Sequence, residues 1–379
     1  MSLETNVVHT GDCFDVLAEL PAESVHMVMT SPPYWNLRDY DHDDQLGLEP
    51  ESEQYVQNMA AVFDEVKRVL RPDGSLWLNL GDTYENKDLQ QIPARVALEL
   101  QRRGWVLRNR VTWAKPNPMP QSVKDRLNDT TEAVFHFVKN KSYWYDLDAI
   151  REPHAKASIE RAKNNFTASI NRDGMEDRSN MAEANAPKSD NMNHVSGKNP
   201  GDVFEVTTKP FPEAHFAVYP PELCEKPIKA TCPPQVCVEC GSPYERETRD
   251  ESGFTDGVCN ACGKPRSKHK LGTKNSADGV IGVRTDENRK TAACGKNVTT
   301  GWVQTCDCDT DATEAGIALD PFAGAGTTLL KAKELGRQFV GIELNATYAD
   351  MARARVGIDV DDPSNVRDDA GQSGLEAYD

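Results

Sequence analysis

Asp320-Pro-Phe-Ala-Gly-Ala-Gly-Thr-Thr328 is the glycine-rich stretch from which the fold of this chain can be predicted. It follows a short apolar run, Ile317–Leu319, and opens an amphipathic segment, Thr327–Leu335. Such a turn between a strand and a helix lets the backbone bend sharply and approach a ligand closely. A glycine pair also occurs in ordinary strand-to-helix turns, so the neighbouring residues must decide its meaning.

The strand predicted after this turn, Gln338–Ile342, is followed by an acid. Glu343 stands where a carboxylate accepts hydrogen bonds from both ribose hydroxyls of a nucleoside. The turn has neither the third glycine of the dinucleotide pattern nor the lysine of a phosphate-binding loop. The favoured ligand is therefore a nucleoside with a neutral or positive tail, and S-adenosylmethionine fits that description.

Short apolar runs and amphipathic segments alternate on both sides of the turn. This alternation predicts an α/β fold with a doubly wound, parallel sheet. The predicted strands are Asn6–His9, Val25–Thr30, Ser75–Leu80, Val134–Val138, Ile317–Leu319 and Gln338–Ile342. The predicted helices are Gln54–Leu70, stopped by Arg71-Pro-Asp-Gly74, then Pro93–Arg103, Thr327–Leu335 and Ala346–Arg355.

A second informative stretch is Thr30-Ser-Pro-Pro-Tyr-Trp35, at the end of a predicted strand. Two consecutive prolines fix φ and remove two N–H donors, so carbonyl groups are left to accept. An amine that is to be methylated needs acceptors for its N–H groups, which Ser31 and the carbonyl of Pro32 can supply. Tyr34 offers a flat face on which an extruded base can stack. Alone, such a string also occurs in plain loops.

Together the two stretches resemble the motifs of DNA amino-methyltransferases, which methylate cytosine N4 or adenine N6. Their order, with Ser-Pro-Pro-Tyr first, resembles the circularly permuted class, and the resemblance covers 5–145 and 211–356 with gaps. It implies a Rossmann-like S-adenosylmethionine methyltransferase sheet. The implied catalytic residues are Ser31, Pro32, Pro33 and Tyr34. The implied cofactor-binding residues are Asp12, Asp320, Pro321, Phe322, Gly324, Gly326, Thr327 and Glu343.

Three further segments resemble parts of this family. Asn6–Leu17 resembles the third strand of the cofactor half, whose terminal acid, here Asp12, reaches the adenine. The carboxy-terminal half ends after its second strand, so the start of the chain is expected to complete the sheet. Trp113–Pro120 and Glu132–Lys139 resemble later elements of the catalytic half.

The resemblance also bears on the substrate. Serine at position 31 is typical of cytosine-N4 enzymes, whereas adenine-N6 enzymes usually have Asp or Asn. The favoured function is site-specific N4 methylation of cytosine in double-stranded DNA after base flipping, in a restriction-modification system or as a solitary enzyme. Adenine-N6 methylation is the alternative, and a CTAG-like palindrome is a guess. A cognate restriction endonuclease is a candidate partner, and monomer and dimer are both compatible with the sequence.

Cysteine pairs predict a metal site. Cys237-x2-Cys240 and Cys259-x2-Cys262 have the spacing of a zinc ribbon, and Cys306-x-Cys308 adds a third pair. The spacing leaves the pairing open. The resemblance implies that Cys237, Cys240, Cys306 and Cys308 share one structural zinc, with Cys259 and Cys262 in an inserted loop. A zinc-ribbon DNA-binding regulator with an inactive methyltransferase core is the alternative of another class.

The charge of the chain opposes DNA binding only at first sight. There are 60 acidic and 43 basic residues among 379, for a net charge of −17. Bases nevertheless concentrate in 101–126 and 264–274, segments expected to face DNA. The acidic excess favours a salt-rich cytosol, that of a halophile. No apolar run approaches the length of a membrane span, and no secretory signal is recognised, so a cytoplasmic protein without a membrane partner is predicted.

The predicted organisation has six parts. They are 1–145, the catalytic half of the core; 146–210, a polar target-recognition region; 211–230, a return to the core; 231–310, a Cys-rich zinc module; 311–356, the cofactor-binding half; and 357–379, an acidic disordered tail.

Overall fold

The computed structural model describes residues 3–39, 45–155, 197–209, 218–250, 254–255, 258–259 and 297–358. Several predicted features lie outside these ranges: most of the target-recognition region, Cys262, the basic run 264–274 and the acidic tail from 359 onward. Among the described helices, none combines the length and apolarity that crossing a membrane requires.

Eight strands form the main sheet. In chain order they are β1 (Val7–Thr10), β2 (Val25–Thr30), β3 (Leu70–Leu80), β4 (Val106–Ala114), β5 (Thr131–Val138), β6 (Val203–Glu205), β7 (Ile317–Asp320) and β8 (Gln338–Glu343). Their order across the sheet is β1-β8-β7-β2-β3-β5-β4-β6. The first five are parallel to one another, as predicted.

The sheet is mixed beyond β3, which differs from the all-parallel expectation. β5 runs antiparallel to both of its neighbours, β3 and β4. The reason is the connection between β4 and β5: residues 115–130 contain no helix, and a parallel pair needs a long crossover that is usually helical. β6 then pairs in parallel with β4.

Helices cover both faces of the sheet. They are α1 (Cys13–Glu19), α2 (Ser52–Val69), α3 (Ile92–Arg102), α4 (Pro221–Thr231), α5 (Thr327–Glu334) and α6 (Ala346–Val356). Apolar residues of α1, α2 and α3 join one core cluster, and those of α4, α5 and α6 join the other. Because each face of the sheet is covered by three helices, the doubly wound α/β arrangement is confirmed.

The start of the chain completes the cofactor half of the sheet, as expected. β1 pairs in parallel with β8, and Thr10 lies opposite Glu343. A buried arginine of α6 fixes this pairing: Arg353 donates to the Val8 carbonyl at 2.8 Å and to the Thr10 hydroxyl at 2.7 Å. The pairing brings Asp12, just after β1, to the edge where Glu343 ends β8.

One predicted boundary is wrong. The segment Arg71–Gly74 was expected to stop the helix and the next strand to begin at Ser75, but β3 begins at Leu70, directly after α2 ends at Val69. The proline at position 72 has no N–H to donate, and the β2–β3 register is irregular between Val25 and Met27. The strand therefore tolerates Pro72 where the ladder is interrupted.

Contact density divides the chain into two units. The first comprises Met1–Asp146, Gly201–Tyr244 and Gln304–Asp379 and contains the main sheet. It also holds two short strands, Val236–Cys237 and Thr313–Glu314, which pair antiparallel. The predicted zinc module 231–310 is thus divided at Tyr244 and Gln304, and the other predicted boundaries stay predictions.

The second unit comprises Leu147–Pro200 and Glu245–Val303. Its described elements are a 3-10 turn, Leu147–Ala149, and two antiparallel pairs. Glu245–Asp250 pairs with Asn297–Val303, and Phe254–Thr255 pairs with Val258–Cys259.

Candidate active site

A cavity of about 310 Å³ opens at the carboxyl ends of the parallel strands. This edge is where open α/β sheets bind ligands, because the loops after the strands meet there. Ten of the twelve predicted catalytic and cofactor residues line the cavity. They are Ser31, Pro32, Pro33, Tyr34, Asp12, Pro321, Phe322, Gly324, Thr327 and Glu343.

The glycine turn is held by the acid of the next strand. Glu343 Oε2 accepts the backbone N–H of Gly324 at 2.8 Å, and Oε1 accepts that of Asn345 at 2.9 Å. Gly324 has a φ of 50°, in the left-handed region that favours glycine. Burial raises the pKa of the Glu343 carboxyl. Each carboxylate oxygen has more than one lone pair, so both can still accept a ligand hydroxyl.

The other two predicted cofactor residues, Asp320 and Gly326, support the turn from behind and do not line the cavity. Asp320 is fully buried and accepts the Phe322 N–H at 3.1 Å, and burial raises its pKa. Gly326 packs against α6, where an added Cβ would lie 2.9 Å from that of Ala352. The absence of a side chain at Gly326 therefore allows α6 to pack closely against the glycine turn.

Asp12 has a structural role beside its place in the cavity wall. Its Oδ1 accepts the N–H groups of Phe14 at 2.7 Å and Asp15 at 3.4 Å, which caps α1. The preceding residue, Gly11, donates its N–H to the Glu343 carbonyl at 3.0 Å. Asp12, which follows β1, and Glu343, which ends β8, thus both line the cavity.

The Ser-Pro-Pro-Tyr turn is held by a buried hydrogen bond and leaves the Pro32 carbonyl unused. The hydroxyl of Tyr55, fully buried in α2, donates to the Pro33 carbonyl at 2.7 Å. Among the described residues, no hydrogen bond reaches the carbonyl of Pro32, which lines the cavity. The Pro32 carbonyl, which was predicted to accept a hydrogen bond from the target amine, is therefore open to a ligand.

Asn79, Lys115 and Glu132 also line the cavity, and sequence reasoning gave them no role. Tyr34 donates its hydroxyl to Glu132 Oε2 at 2.8 Å, and the Ser31 and Tyr34 hydroxyl oxygens are 3.1 Å apart. The Asn79 amide donates to Tyr34 at 2.7 Å, to Glu132 at 2.9 Å and to Ser31 at 3.2 Å.

Lys115 completes this network by pairing with Glu132 through its other carboxylate oxygen. The Lys115 ammonium also lies 4.6 Å from the ring centre of Trp113. Both side chains of the ion pair are mostly buried, with 20% and 15% exposed. Lys115 and Glu132 lie in the two segments that resemble catalytic-half elements, Trp113–Pro120 and Glu132–Lys139. A charged residue within such a segment is the sequence feature that could have indicated a role in the site.

The ring of Tyr34 packs on Gly81, where it takes up the space that a side chain would need. A Cβ added to Gly81 would be 2.4 Å from Tyr34 Cε2 and 2.7 Å from its Cδ2. Burial, followed by the charge of Glu132, raises the pKa of the Tyr34 hydroxyl well above its usual value. The ring is consequently fixed at one side by Gly81 and at its hydroxyl by Glu132 and Asn79.

Four of the six predicted metal ligands come together. The Sγ atoms of Cys237, Cys240, Cys306 and Cys308 all lie within 4.8 Å of one another, inside the first unit. This is the pairing that the family resemblance implied. Cys259 ends a short strand of the second unit and its side chain is outside the described atoms, as is all of Cys262.

Residues of the glycine turn and of the Ser-Pro-Pro-Tyr turn line one cavity, which is the arrangement predicted for an amino-methyltransferase. The chain belongs to the DNA methylase family of N6 and N4 methyltransferases, whose sequence profile matches residues 25–238 and 311–354.

Two relatives and one solved structure illustrate the similarity. The chain is 36% identical over 261 residues to the type II methyltransferase M.XycI of Xanthomonas campestris pv. cyanopsidis, covering 61% of this chain and 74% of that protein. It is 48% identical over 174 residues to M.SfiI of Streptomyces fimbriatus, a match that spans 41% of each chain. The structure of PvuII DNA methyltransferase (cytosine-N4-specific) aligns with a TM-score of 0.52 at 16% identity, over 95% of this chain and 89% of that one. At this identity the likeness shows the fold alone.

Proposed function

We propose that this protein transfers a methyl group from S-adenosylmethionine to the N4 amine of a cytosine extruded from double-stranded DNA. The observation that carries the proposal is that the Ser31–Tyr34 turn and the Gly324–Glu343 pair share one cavity. A nucleoside cofactor at Glu343 and a base at Tyr34 would then lie side by side, as direct methyl transfer requires.

The residues of the cofactor end fit S-adenosylmethionine. Glu343 can accept from both ribose hydroxyls while it keeps its bonds to Gly324 and Asn345. Asp12 would approach the adenine, and Phe322 in the same wall offers an apolar ring face for it. When bound, the cofactor supplies an electrophilic methyl group on a positively charged sulfur.

The residues of the catalytic end would orient the amine. Ser31 Oγ and the Pro32 carbonyl can each accept one N–H of the target amine, which directs its lone pair toward the methyl group. Tyr34 would stack on the extruded base with the ring face that is turned away from Gly81. Transfer would be direct: the bond from N4 to the methyl carbon would form as the sulfur–methyl bond breaks, and the methylated amine would then release one N–H proton to solvent, so the buried Cys13 would have no part in it.

Glu132 is proposed as a positioning residue with an electrostatic effect. Its carboxylate holds the Tyr34 hydroxyl and stands near an amine that becomes positive as the methyl group arrives. Lys115 keeps that carboxylate paired in a mostly buried position. Glu132→Gln is expected to lower kcat about tenfold or more while cofactor affinity stays within about twofold.

The experiment is methylation of duplex DNA with isotopically labelled S-adenosylmethionine, followed by digestion to nucleosides and mass spectrometry. N4-methylcytosine is the expected product, because Ser31 is the residue typical of cytosine-N4 enzymes. N6-methyladenine would replace this proposal by the adenine alternative. The matched control is Tyr34→Ala, which should still bind the cofactor but not methylate. DNA binding by the parent protein without methylation of any base would favour the inactive-core regulator.

The cysteine cluster is proposed to hold one structural zinc. Four thiolates at Zn–S distances of about 2.3 Å form a tetrahedron with sulfurs about 3.8 Å apart, which the observed separations of up to 4.8 Å can reach by small rotations. The set leaves no coordination position for substrate, so the metal would stiffen the segments that carry it.

Three expectations remain predictions: a cognate restriction endonuclease, a cytoplasmic location and a salt-rich cytosol. The last predicts that methylation persists at molar KCl. Inactivation there would refute the halophile interpretation and leave the methyltransferase proposal intact.

A further inference from the structure

The loop 115–130, between β4 and β5, has an unusual distribution of side chains. The loop begins at Lys115, which lines the cavity. Glu132, the second residue of β5 after the loop, lines the cavity as well. The Lys115 N–H donates to the Thr130 carbonyl at 2.9 Å, which closes the base of the loop. The loop therefore begins and ends at the catalytic side of the cavity.

Polar contacts brace this loop. Gln121 and Asp129 are linked across it by two hydrogen bonds, at 3.3 and 3.4 Å. Arg126 pairs with Asp129 at 2.7 Å, and its guanidinium lies 3.8 Å from the ring centre of Tyr84. On the other side, the Asn117 amide donates to the carbonyl of Thr208, another residue of the cavity wall, at 3.0 Å.

Its two large apolar side chains, in contrast, are left in solvent. Met119 is 84% exposed and Leu127 is 89% exposed, whereas Leu98 on the surface of α3 is 56% exposed. Single exposed apolar residues are common, but here two almost fully exposed ones lie on one braced loop that begins and ends at the cavity.

We propose that Met119 and Leu127 insert into double-stranded DNA beside the target base and fill the space that the extruded base leaves. The inference rests on the proposed function, because only extrusion of a base from a duplex creates such a space. Apolar side chains are used in this way by proteins that unstack bases. The exposed Lys124 of the same loop supplies a cation for the adjacent phosphates.

The continuity of the loop with the cavity determines where insertion occurs. A base that stacks on Tyr34 would lie in the cavity that Lys115, Glu132 and Thr208 line, and the loop begins at Lys115 and ends next to Glu132. The apolar side chains would stabilise only the extruded state, since a paired base leaves no space for them.

The test compares Met119→Ala and Leu127→Ala with the parent on two duplexes that carry the methylated sequence. In one the target base is normally paired; in the other it lies opposite an abasic site, which lowers the cost of extrusion. Each variant is expected to lose about tenfold or more in kcat/KM on the paired duplex and less than about twofold on the abasic one. Leu98→Ala is the matched control and should equal the parent on both.

Equal losses on the two duplexes, or no loss on either, would overturn the insertion proposal. Light scattering on the same variants measures the mass of the protein in solution. A change in this mass would assign the loop to a contact between copies of the chain and would also overturn the insertion proposal. DNA affinity is measured in parallel because it needs no catalysis. If the parent methylates neither duplex, the proposed function fails. The affinities for the paired and the abasic duplex, compared between the parent and each variant, then still show whether the loop favours the extruded base.

Discussion

Thr30 donates a hydrogen bond of 2.6 Å to the carboxylate of Asp320, and both side chains are fully buried. Thr30 precedes the Ser-Pro-Pro-Tyr turn, and Asp320 begins the glycine turn. Their strands, β2 and β7, are neighbours in the sheet. The bond therefore fixes the catalytic and cofactor turns relative to each other, although the two residues are 290 positions apart in the chain.

Thr30→Val should destabilise the protein and weaken cofactor binding. Valine has the shape of threonine but leaves a buried carboxylate oxygen without this donor, which costs about 1–3 kcal/mol. The free energy of unfolding, from urea titration, and the cofactor Kd, from calorimetry, are the measurements. Thr313→Val, at an exposed strand position, is the control and should stay within about 0.5 kcal/mol. If both substitutions changed the free energy of unfolding and the cofactor Kd equally, the Thr30–Asp320 hydrogen bond would not be what fixes the two turns.

Gly81→Ala should abolish methylation with little effect on cofactor binding. The new Cβ would lie 2.4 Å from Tyr34 Cε2, so the ring has to leave its observed position. Glu343 and the glycine turn are not touched by this change. Methylation rate and cofactor Kd are measured for the variant and for Gly201→Ala, where an added Cβ meets nothing within 4 Å. Full activity of Gly81→Ala would show that the ring position is not required.

The proposed zinc site predicts which cysteines are needed. Cys240→Ser and Cys306→Ser should each remove most of the bound metal and lower the melting temperature, because three thiolates hold zinc less well than four. Cys259→Ser should retain the parent's metal content, expected at about one zinc per chain. Metal analysis of the purified proteins decides the pairing. Loss of zinc in Cys259→Ser would restore the zinc-ribbon pairing with Cys237 and Cys240.

His136 should contribute to loss of stability in acid. Burial lowers its pKa from the usual 6.5 to about 3, and its ring stacks on Trp77 with centroids 4.3 Å apart. Above pH 6.5 the imidazole is neutral in both states; below it the unfolded chain takes up the proton first, so stability falls until about pH 3. His136→Phe keeps a ring beside Trp77 and removes this proton.

The measurement is the free energy of unfolding of both proteins from pH 8 to pH 4. The difference between His136→Phe and the parent should be constant at and above pH 7 and should shift in favour of the variant as the pH falls. Parallel curves over the whole range would contradict the assignment.

The sequence predicted most elements of the fold because its signals are local. Apolar periodicity located β2 and α5 to within one residue, and the position of the glycine turn after an apolar run identified the cofactor strand. The strand Val134–Val138 was predicted, but its antiparallel direction was not, since the direction of a strand depends on how its connection folds. Asp320 and Gly326 belong to the same motif but do not line the cavity, because a motif cannot distinguish a residue that faces the cavity from one that supports the turn.

The catalytic network shows the same limit. Asn79, Lys115 and Glu132 belong to or follow three different strands, and nothing in their local sequence indicates that their side chains converge on Tyr34. Only the order of β3, β5 and β4 in the sheet brings them to one edge.

The sequence by itself determined the fold class, the two turns and, through family resemblance, the need for an amino-terminal strand to complete the sheet and the four cysteines that meet. These depend on residue type and short-range spacing, which the chain carries directly. The tertiary structure decided which residues line the cavity, how Thr30 and Asp320 join the two turns, and which carboxylate holds Tyr34. Such contacts arise from strand order and packing between distant segments, because a side chain's partner is set by the fold around it and not by its neighbours in sequence.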